Sequence, residues 1–195
     1  MIILASSSPR RKEIMDMIGL NYQIIKSDFD EKSINIYNYQ RPLILSKLKG
    51  DYVYKNHLND LVLSFDTIVY YNGKIFEKPK DFNDAYNMLK QLSNNMHYVY
   101  TGIYIKSLEY EKNFLVKTKI YFKDLTDKEI IDYINTNDCF DKAGAYGIQS
   151  SNFVKKYKGD YYNVMGLPYK IMNKELHKYK YKKYLKGWLY LFFYN

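Results

Sequence analysis

A single cysteine, Cys139, in 195 residues leaves no partner for an internal disulfide and fits a reducing compartment. Histidine is nearly as scarce. His57, His97 and His177 are scattered and share no ligand spacing with Cys139, so no zinc site is expected. The chain has no run of about 18 apolar residues, hence no expected membrane span, and with a core strand starting at Ile2 no leader peptide is expected either. A cytoplasmic location follows as an expectation. Walker-type glycine loops and G-x-S-x-G elbows are missing, as are long linkers, repeats and low-complexity domains.

Acidic residues are outnumbered, 21 against 30 basic, which leaves a formal charge of +9 and a surface that attracts anions. The chain is also rich in tyrosine, with 24, and in lysine, asparagine and isoleucine, all residues with AT-rich codons. That bias accounts for part of the charge and for many of the tyrosines, so no specific nucleic-acid partner is expected. The length suits one folding unit with a full core.

The chain is organised around Leu4-Ala5-Ser6-Ser7-Ser8-Pro9-Arg10-Arg11. The apolar run Ile2 to Ala5 reads as a buried strand, and Ile14, Met17 and Ile18 before Gly19 read as the inner face of a helix. Ser8 is placed as N-cap and Pro9 at the first helical position, where its missing N–H costs nothing. Arg10 and Arg11 then sit where the helix dipole is already positive, an unfavourable place for two cations. A bound anion resolves the conflict: serine hydroxyls, free helix N–H groups and two guanidinium forks make a phosphate-sized cradle. Two solvated arginines on an exposed turn fit the residues equally well at this stage.

Further along, Tyr22 to Ile25 predicts a short strand, followed by the acidic loop Asp28 to Glu31. Pro42 opens a helix whose inner face is read as Leu45, Leu48 and Tyr52, with Lys49 at the edge of that face and Lys47 in water. Leu61 to Phe65 and Ile68 to Tyr71 are extended, with Asp66 at a strand end. Asn72-Gly73 signals a hairpin whose return arm is Lys74 to Phe76. Lys78 leaves it, held extended by Pro79.

Asp81 caps a helix with Ala85, Met88, Leu89 and Leu92 inward. His97 to Ile105 and Phe114 to Phe122 read as neighbouring antiparallel strands. The capping box Thr126 to Glu129 opens a helix through Ile130, Ile131 and Ile134. Ala143 to Gln149 has small residues that allow close approach to a ligand, and a plain turn would look the same. Gly166-Leu167-Pro168 leads into a last helix reaching about Leu176. The alternation of α and β with an antiparallel insertion predicts an α/β fold with a mixed sheet.

Residues 1–177 are read as the catalytic domain and 178–195 as a basic, aromatic extension, open to three readings: a packed helix, an intersubunit contact or a membrane-surface segment. The chemistry-bearing set is Glu31 and Asp66 with Arg10, Arg11, Lys49 and Lys78, the carboxylates and cations that divalent-metal-assisted phosphoryl chemistry requires.

Seven ordered blocks, LASSSPRRKEI, FDE, FDTIV, EKPKD, TG, DKAGAYGIQ and NVMGLP, resemble the Maf family of nucleotide pyrophosphatases from Ile3 to about Leu176. The resemblance implies a mixed twisted sheet with flanking helices and a deep cleft between two lobes, like inosine triphosphate pyrophosphatases, usually as a homodimer. It also implies hydrolysis of a nucleoside triphosphate to monophosphate and pyrophosphate with Mg²⁺ or Mn²⁺. By position, Asp66 matches the proton acceptor and Glu31 the acidic residue near metal and water, so both are candidate metal ligands. Lys49 and Lys78 match the phosphate-holding lysines, and Ser6, Ser8 and Arg11 the phosphate-binding start. Arg10, Thr67 and Gln149 match the branch that resembles hydrolases of dTTP, UTP and related modified pyrimidine nucleotides, a choice a glutamine amide can support by pairing with a pyrimidine edge. A nucleotide-binding regulator of cell division with weak hydrolysis is the alternative. Phe65, Ser150 and Gly50 depart from the family's usual residues.

Overall fold

The computed structural model describes residues 1–178. Strand β1 (Ile2–Ala5) is fully buried, as its apolar run requires. Helix α1 (Pro9–Met17) carries the chain to β2 (Tyr22–Ile24), which lies parallel to β1, and α2 (Arg41–Tyr54) carries it to β3 (Leu61–Tyr71), parallel on β1's other side. From there pairing is antiparallel: β3 with β4 (Lys74–Phe76) and with β5 (Met96–Ser107), β5 with β6 (Tyr110–Phe122), and β6 with β7 (Val154–Lys158). Helices α3 (Phe82–Leu92) and α4 (Asp127–Ile134) join these strands, and α5 (Tyr161–Val164) and α6 (Tyr169–Lys178) close the described chain. The result is the expected mixed sheet, here of seven strands, ordered β2-β1-β3-β5-β6-β7 with β4 on β3.

Strand β3 is long enough to serve two partners on one edge. Strand β1 pairs with its first part, Leu61 to Ser64, and β4 with its last, Val69 to Tyr71, while β5 runs along the opposite edge. Between them, Phe65 to Ile68 face a gap in the sheet. Each side of that gap has its own core. One gathers Leu4, Ile14, Met15, Phe65 and Leu167; the other gathers Val69, Leu89, Phe122, Ile130 and Tyr146. These are the two lobes.

Two glycine positions enforce this geometry. Asn72 and Gly73 both adopt positive φ, 46° and 77°, as a tight hairpin between β3 and β4 needs. At Gly102, mid-β5, an added Cβ would lie 2.0 Å from the Pro42 carbonyl oxygen, so only glycine lets α2 settle on the sheet.

Several expected inner faces rotate. Met17 is 47% exposed and Met15 takes its place; Tyr52 turns outward while Val53 is buried; Ile131 faces out while Tyr133 packs inward. In each case a side chain one or two positions away, about 100° or 200° around the helix axis, fills the core instead. Asp66 is not at a strand end, because pairing with β5 runs unbroken from Val62 to Tyr70. Ser8 holds the N-cap position of α1, yet its side chain makes no capping hydrogen bond. Lys47 is ion-paired with Asp51 and Glu111 at 2.8 Å rather than free in water. Asp81 and the Thr126 capping box behave as expected. The reading of the extension falls beyond Lys178, outside the described residues.

Candidate active site

The gap in β3's edge opens into a cleft of about 600 Å³, a volume in the range of small-molecule sites. Its lining includes all ten residues singled out from the sequence: Ser6, Ser8, Arg10, Arg11, Glu31, Lys49, Asp66, Thr67, Lys78 and Gln149. Eight cationic side chains and five carboxylates face it, so its field favours an anion.

Asp66 is carried to the floor by the unpaired part of β3's edge. Only 9% exposed, its carboxyl is pushed up from the usual range by burial, with Lys49 opposing the shift and Glu31 adding to it. Lys49, from the third turn of α2, places Nζ 3.2 Å from Asp66 Oδ1 and 3.0 Å from Glu31 Oε1. Glu31 begins a short 3₁₀ turn capped by Asp30, whose side chain accepts from the Lys32 N–H. One ammonium therefore joins a buried acid to a half-exposed one.

Arg11 is locked in place. Its Nε donates to the Gly166 carbonyl at 2.9 Å, Nη1 to Ser6 Oγ at 2.9 Å and Nη2 to Thr67 Oγ1 at 3.1 Å. Burial lowers its pKa to about 10, with Asp66 opposing, so it stays charged at neutral pH. Thr67 in turn shares a hydrogen bond with Thr101, which donates to the Asn163 carbonyl. Arg10 lies outside this nest, bonded to Asp141 at 2.6 Å. Lys78 and Gln149 are exposed at the mouth. Tyr146 lines the far wall, its hydroxyl 2.8 Å from His97 Nε2; burial pushes that imidazole down to about 3 and keeps it neutral.

Sequence reasoning missed two supports. Arg41 reaches from the start of α2 to the carbonyls of Ile34 and Ile36 and to Glu77 at 3.3 Å, tying the Glu31 segment to the Lys78 segment. A clue was available: Arg41-Pro42 puts a cation at a helix start, the same conflict that marks Arg10. Lys142, buried between Asp138 and Asp141, holds the carboxylate that holds Arg10. It lies inside a matched block but carried no signal of its own.

Among the described residues, no group of three or more histidine, cysteine or acidic side chains is arranged to hold a metal. Glu31 and Asp66, converging on one point now taken by Lys49, still suit a hard cation that uses one or two carboxylates and completes its shell with water and phosphate oxygens.

The Maf-like protein model matches residues 1–179. The chain is 44% identical over 170 residues to the dTTP/UTP pyrophosphatase of Geobacillus sp. (strain WCH70), covering 86% of this chain and 91% of that protein. It is 46% identical over 188 residues to the dTTP/UTP pyrophosphatase of Clostridium botulinum (strain Okra / Type B1), covering 90% and 95%. Among solved structures, the Staphylococcus aureus Ham1 protein superposes with a TM-score of 0.51 at 14% identity, covering 92% of this chain and 99% of that one, and shares the fold. Since the matched span takes in both lobes, the divided edge of β3 and every residue of the cleft described above, the chain belongs to the Maf-like proteins.

Proposed function

We propose that the chain is a nucleoside triphosphate pyrophosphatase that converts dTTP, UTP and related modified pyrimidine nucleotides to monophosphate and pyrophosphate. The observation that carries this reading is the Glu31–Lys49–Asp66 bridge facing the same cleft as the locked Arg11 guanidinium. The names of the similar proteins support the substrate class.

An α-phosphorus is shielded by negative oxygens, so attack by water needs cations around the phosphates and a base for the water's proton. Arg10, Arg11, Lys49 and Lys78 supply the cations. Asp66, whose ionised form Lys49 favours against burial, takes the proton as the new bond to the α-phosphorus forms, the bond to the bridging oxygen breaks, and pyrophosphate leaves. Mg²⁺ or Mn²⁺, held by Glu31 and Asp66, would neutralise phosphate charge when bound. Gln149 stands at the mouth, where its amide can pair with the carbonyl and N–H edge of a pyrimidine. The reading extends to a homodimer working on the cytoplasmic nucleotide pool, supported by the family resemblance and by the free, buried Cys139.

Purified protein with Mg²⁺ or Mn²⁺ is expected to release pyrophosphate from dTTP or UTP, and Asp66→Asn to abolish the release with circular dichroism unchanged. Orthophosphate as first product, or full activity in the Asn variant, overturns the reading.

A further inference from the structure

The face of the sheet that carries Asp66 continues, beyond the cleft, into a surface paved with rings and ammonium groups. Register sets Tyr70 of β3 opposite Tyr98 of β5, Tyr98 opposite Lys119 of β6, and Lys119 opposite Lys158 of β7, a single row across four strands. On the same face, two residues away along each strand, Tyr100 stands opposite Lys117 and Tyr121 opposite Lys156. Tyr39 leans on Tyr100 with ring centroids 5.5 Å apart. Lys117 and Lys119 lie 5.2 Å and 5.5 Å from the Tyr98 ring centre, and Lys156 lies 4.7 Å from that of Tyr121.

Elsewhere some exposed lysines find carboxylates, Lys12 with Asp16, Lys90 with Asp127 and Lys128 with Asp132, while others, such as Lys32, Lys55 and Lys74, have none among the described residues. Among the described residues, no carboxylate pairs with Lys117, Lys119, Lys156 or Lys158. Biased composition supplies lysine and tyrosine everywhere; it does not by itself align them in one row across four strands. Lys119 and Lys158 are also directly opposite each other, a like-charge pairing that costs stability unless an anion is shared between them.

We propose that this face binds single-stranded nucleic acid without sequence preference, the lysines on phosphates and the tyrosine rings on bases. A second copy of the chain is a poorer occupant, because a two-fold contact would set lysines against lysines. Residues 179–195 are a poorer one too, carrying four lysines and no acid. The surface is separate from the cleft: Tyr70 is four residues from Asp66, about 13 Å along an extended strand, and is not part of the cleft lining.

The test uses the full chain and a fluorescent 12-nucleotide oligo-dT, read by anisotropy between 50 and 200 mM salt. Four phosphate contacts predict a log–log salt slope of about −2.8, which Lys119→Gln with Lys158→Gln lowers to about −1.4. Tyr98→Ala is expected to weaken binding about tenfold at every salt concentration. UTP hydrolysis in the double Gln variant should stay at the parent rate, which shows that the fold is intact. Absence of binding, or a Gln variant with unchanged affinity and slope, overturns the proposal. So does competition by a non-hydrolysable UTP analogue, which would place the oligonucleotide in the cleft. Capture on phosphatidylserine vesicles that is indifferent to Tyr98→Ala, without oligonucleotide binding, assigns the surface to lipid. Sedimentation showing self-association that the Gln pair alters, again without oligonucleotide binding, assigns it to a second copy.

Discussion

Lys49 Nζ lies 3.2 Å from Asp66 Oδ1, a contact between a helix edge and a strand residue seventeen positions apart in the chain. It is the means by which a nearly buried acid stays usable as a base. Burial drives the Asp66 carboxyl toward its neutral form, Glu31 pushes the same way, and Lys49 is the leading force against both.

The pH dependence of hydrolysis follows from that balance. Asp66 must be ionised to accept a proton, so kcat/KM should fall as pH drops through its raised pKa, above the ordinary carboxylate range. Replacing Lys49 by Met removes the main opposing charge. The acid limb should then move to higher pH, along with a drop in plateau activity of about 10² or more. An acid limb at the same pH in Lys49→Met would show that Asp66 is not the group titrating.

Stability carries the opposite sign. A carboxyl whose folded pKa is raised stabilises the fold while protonated, fully below the unfolded pKa, and loses that contribution as pH rises through the folded pKa. Once ionised, Asp66 therefore works against folding. Asp66→Asn should unfold at an equal or higher temperature than the parent at pH 7, and the difference should shrink as pH falls through the raised pKa. Thermal melts from pH 4 to pH 8 would measure this. A melting temperature lowered at pH 7 would mean that the Lys49 and Arg11 contacts outweigh desolvation.

Arg41 is expected to matter without touching substrate. Its guanidinium donates to the Ile34 and Ile36 carbonyls and meets Glu77, so it fixes the segment that carries Glu31 against the one that carries Lys78. Arg41→Ala should cost about 1–3 kcal/mol in stability, since two carbonyls lose a charged donor. It should also speed proteolysis between residues 27 and 40 and raise KM for UTP more than it lowers kcat, with partial rescue in Arg41→Lys.

How far the sequence carried this depends on the residue. Leu4 to Arg11 could be read because an apolar run, serines, proline and two misplaced cations each constrain the local backbone. The Asn72-Gly73 hairpin was equally legible, since two successive positive φ values admit few other residues. Asp66 was placed at a strand end because Asp-Thr looks like a break; the pairing with β5 that carries β3 straight through is a tertiary fact. Met17, Tyr52 and Ile131 misled because bulky apolar residues flank the true inner face on these helices. The Arg41 clamp showed only as a cation at a helix start, since Glu77 lies in a segment that only folding brings close, and Lys142, although Asp138 and Asp141 are its near neighbours in sequence, gave no sign that it would be buried. The division of β3's edge between β1 and β4, from which the cleft arises, is likewise invisible to periodicity.

Gly102 offers the sharpest test of how the two lobes are held together. It faces α2 from mid-β5, opposite Asp66 across the β3–β5 ladder, and a methyl group there would lie 2.0 Å from the Pro42 carbonyl oxygen and 2.7 Å from the Leu43 nitrogen. Both are backbone atoms at the start of a helix, so no side chain can rotate out of the way. The helix must lift, and Lys49 rides on that helix. Gly102→Ala should therefore destabilise by about 1–3 kcal/mol or more, the usual range for an overpacked interior. It should also lower kcat/KM by disturbing the Lys49–Asp66 contact, even though Gly102 itself does not line the cleft. Gly50→Ala serves as the comparison. Its added Cβ would meet the Tyr104 ring at 2.3 Å, a clash with a side chain rather than with backbone, although Tyr104 is itself fully buried and held by Asp51. Urea melts and UTP kinetics on the two variants should separate them: stability loss in both, with the larger loss of turnover in Gly102→Ala.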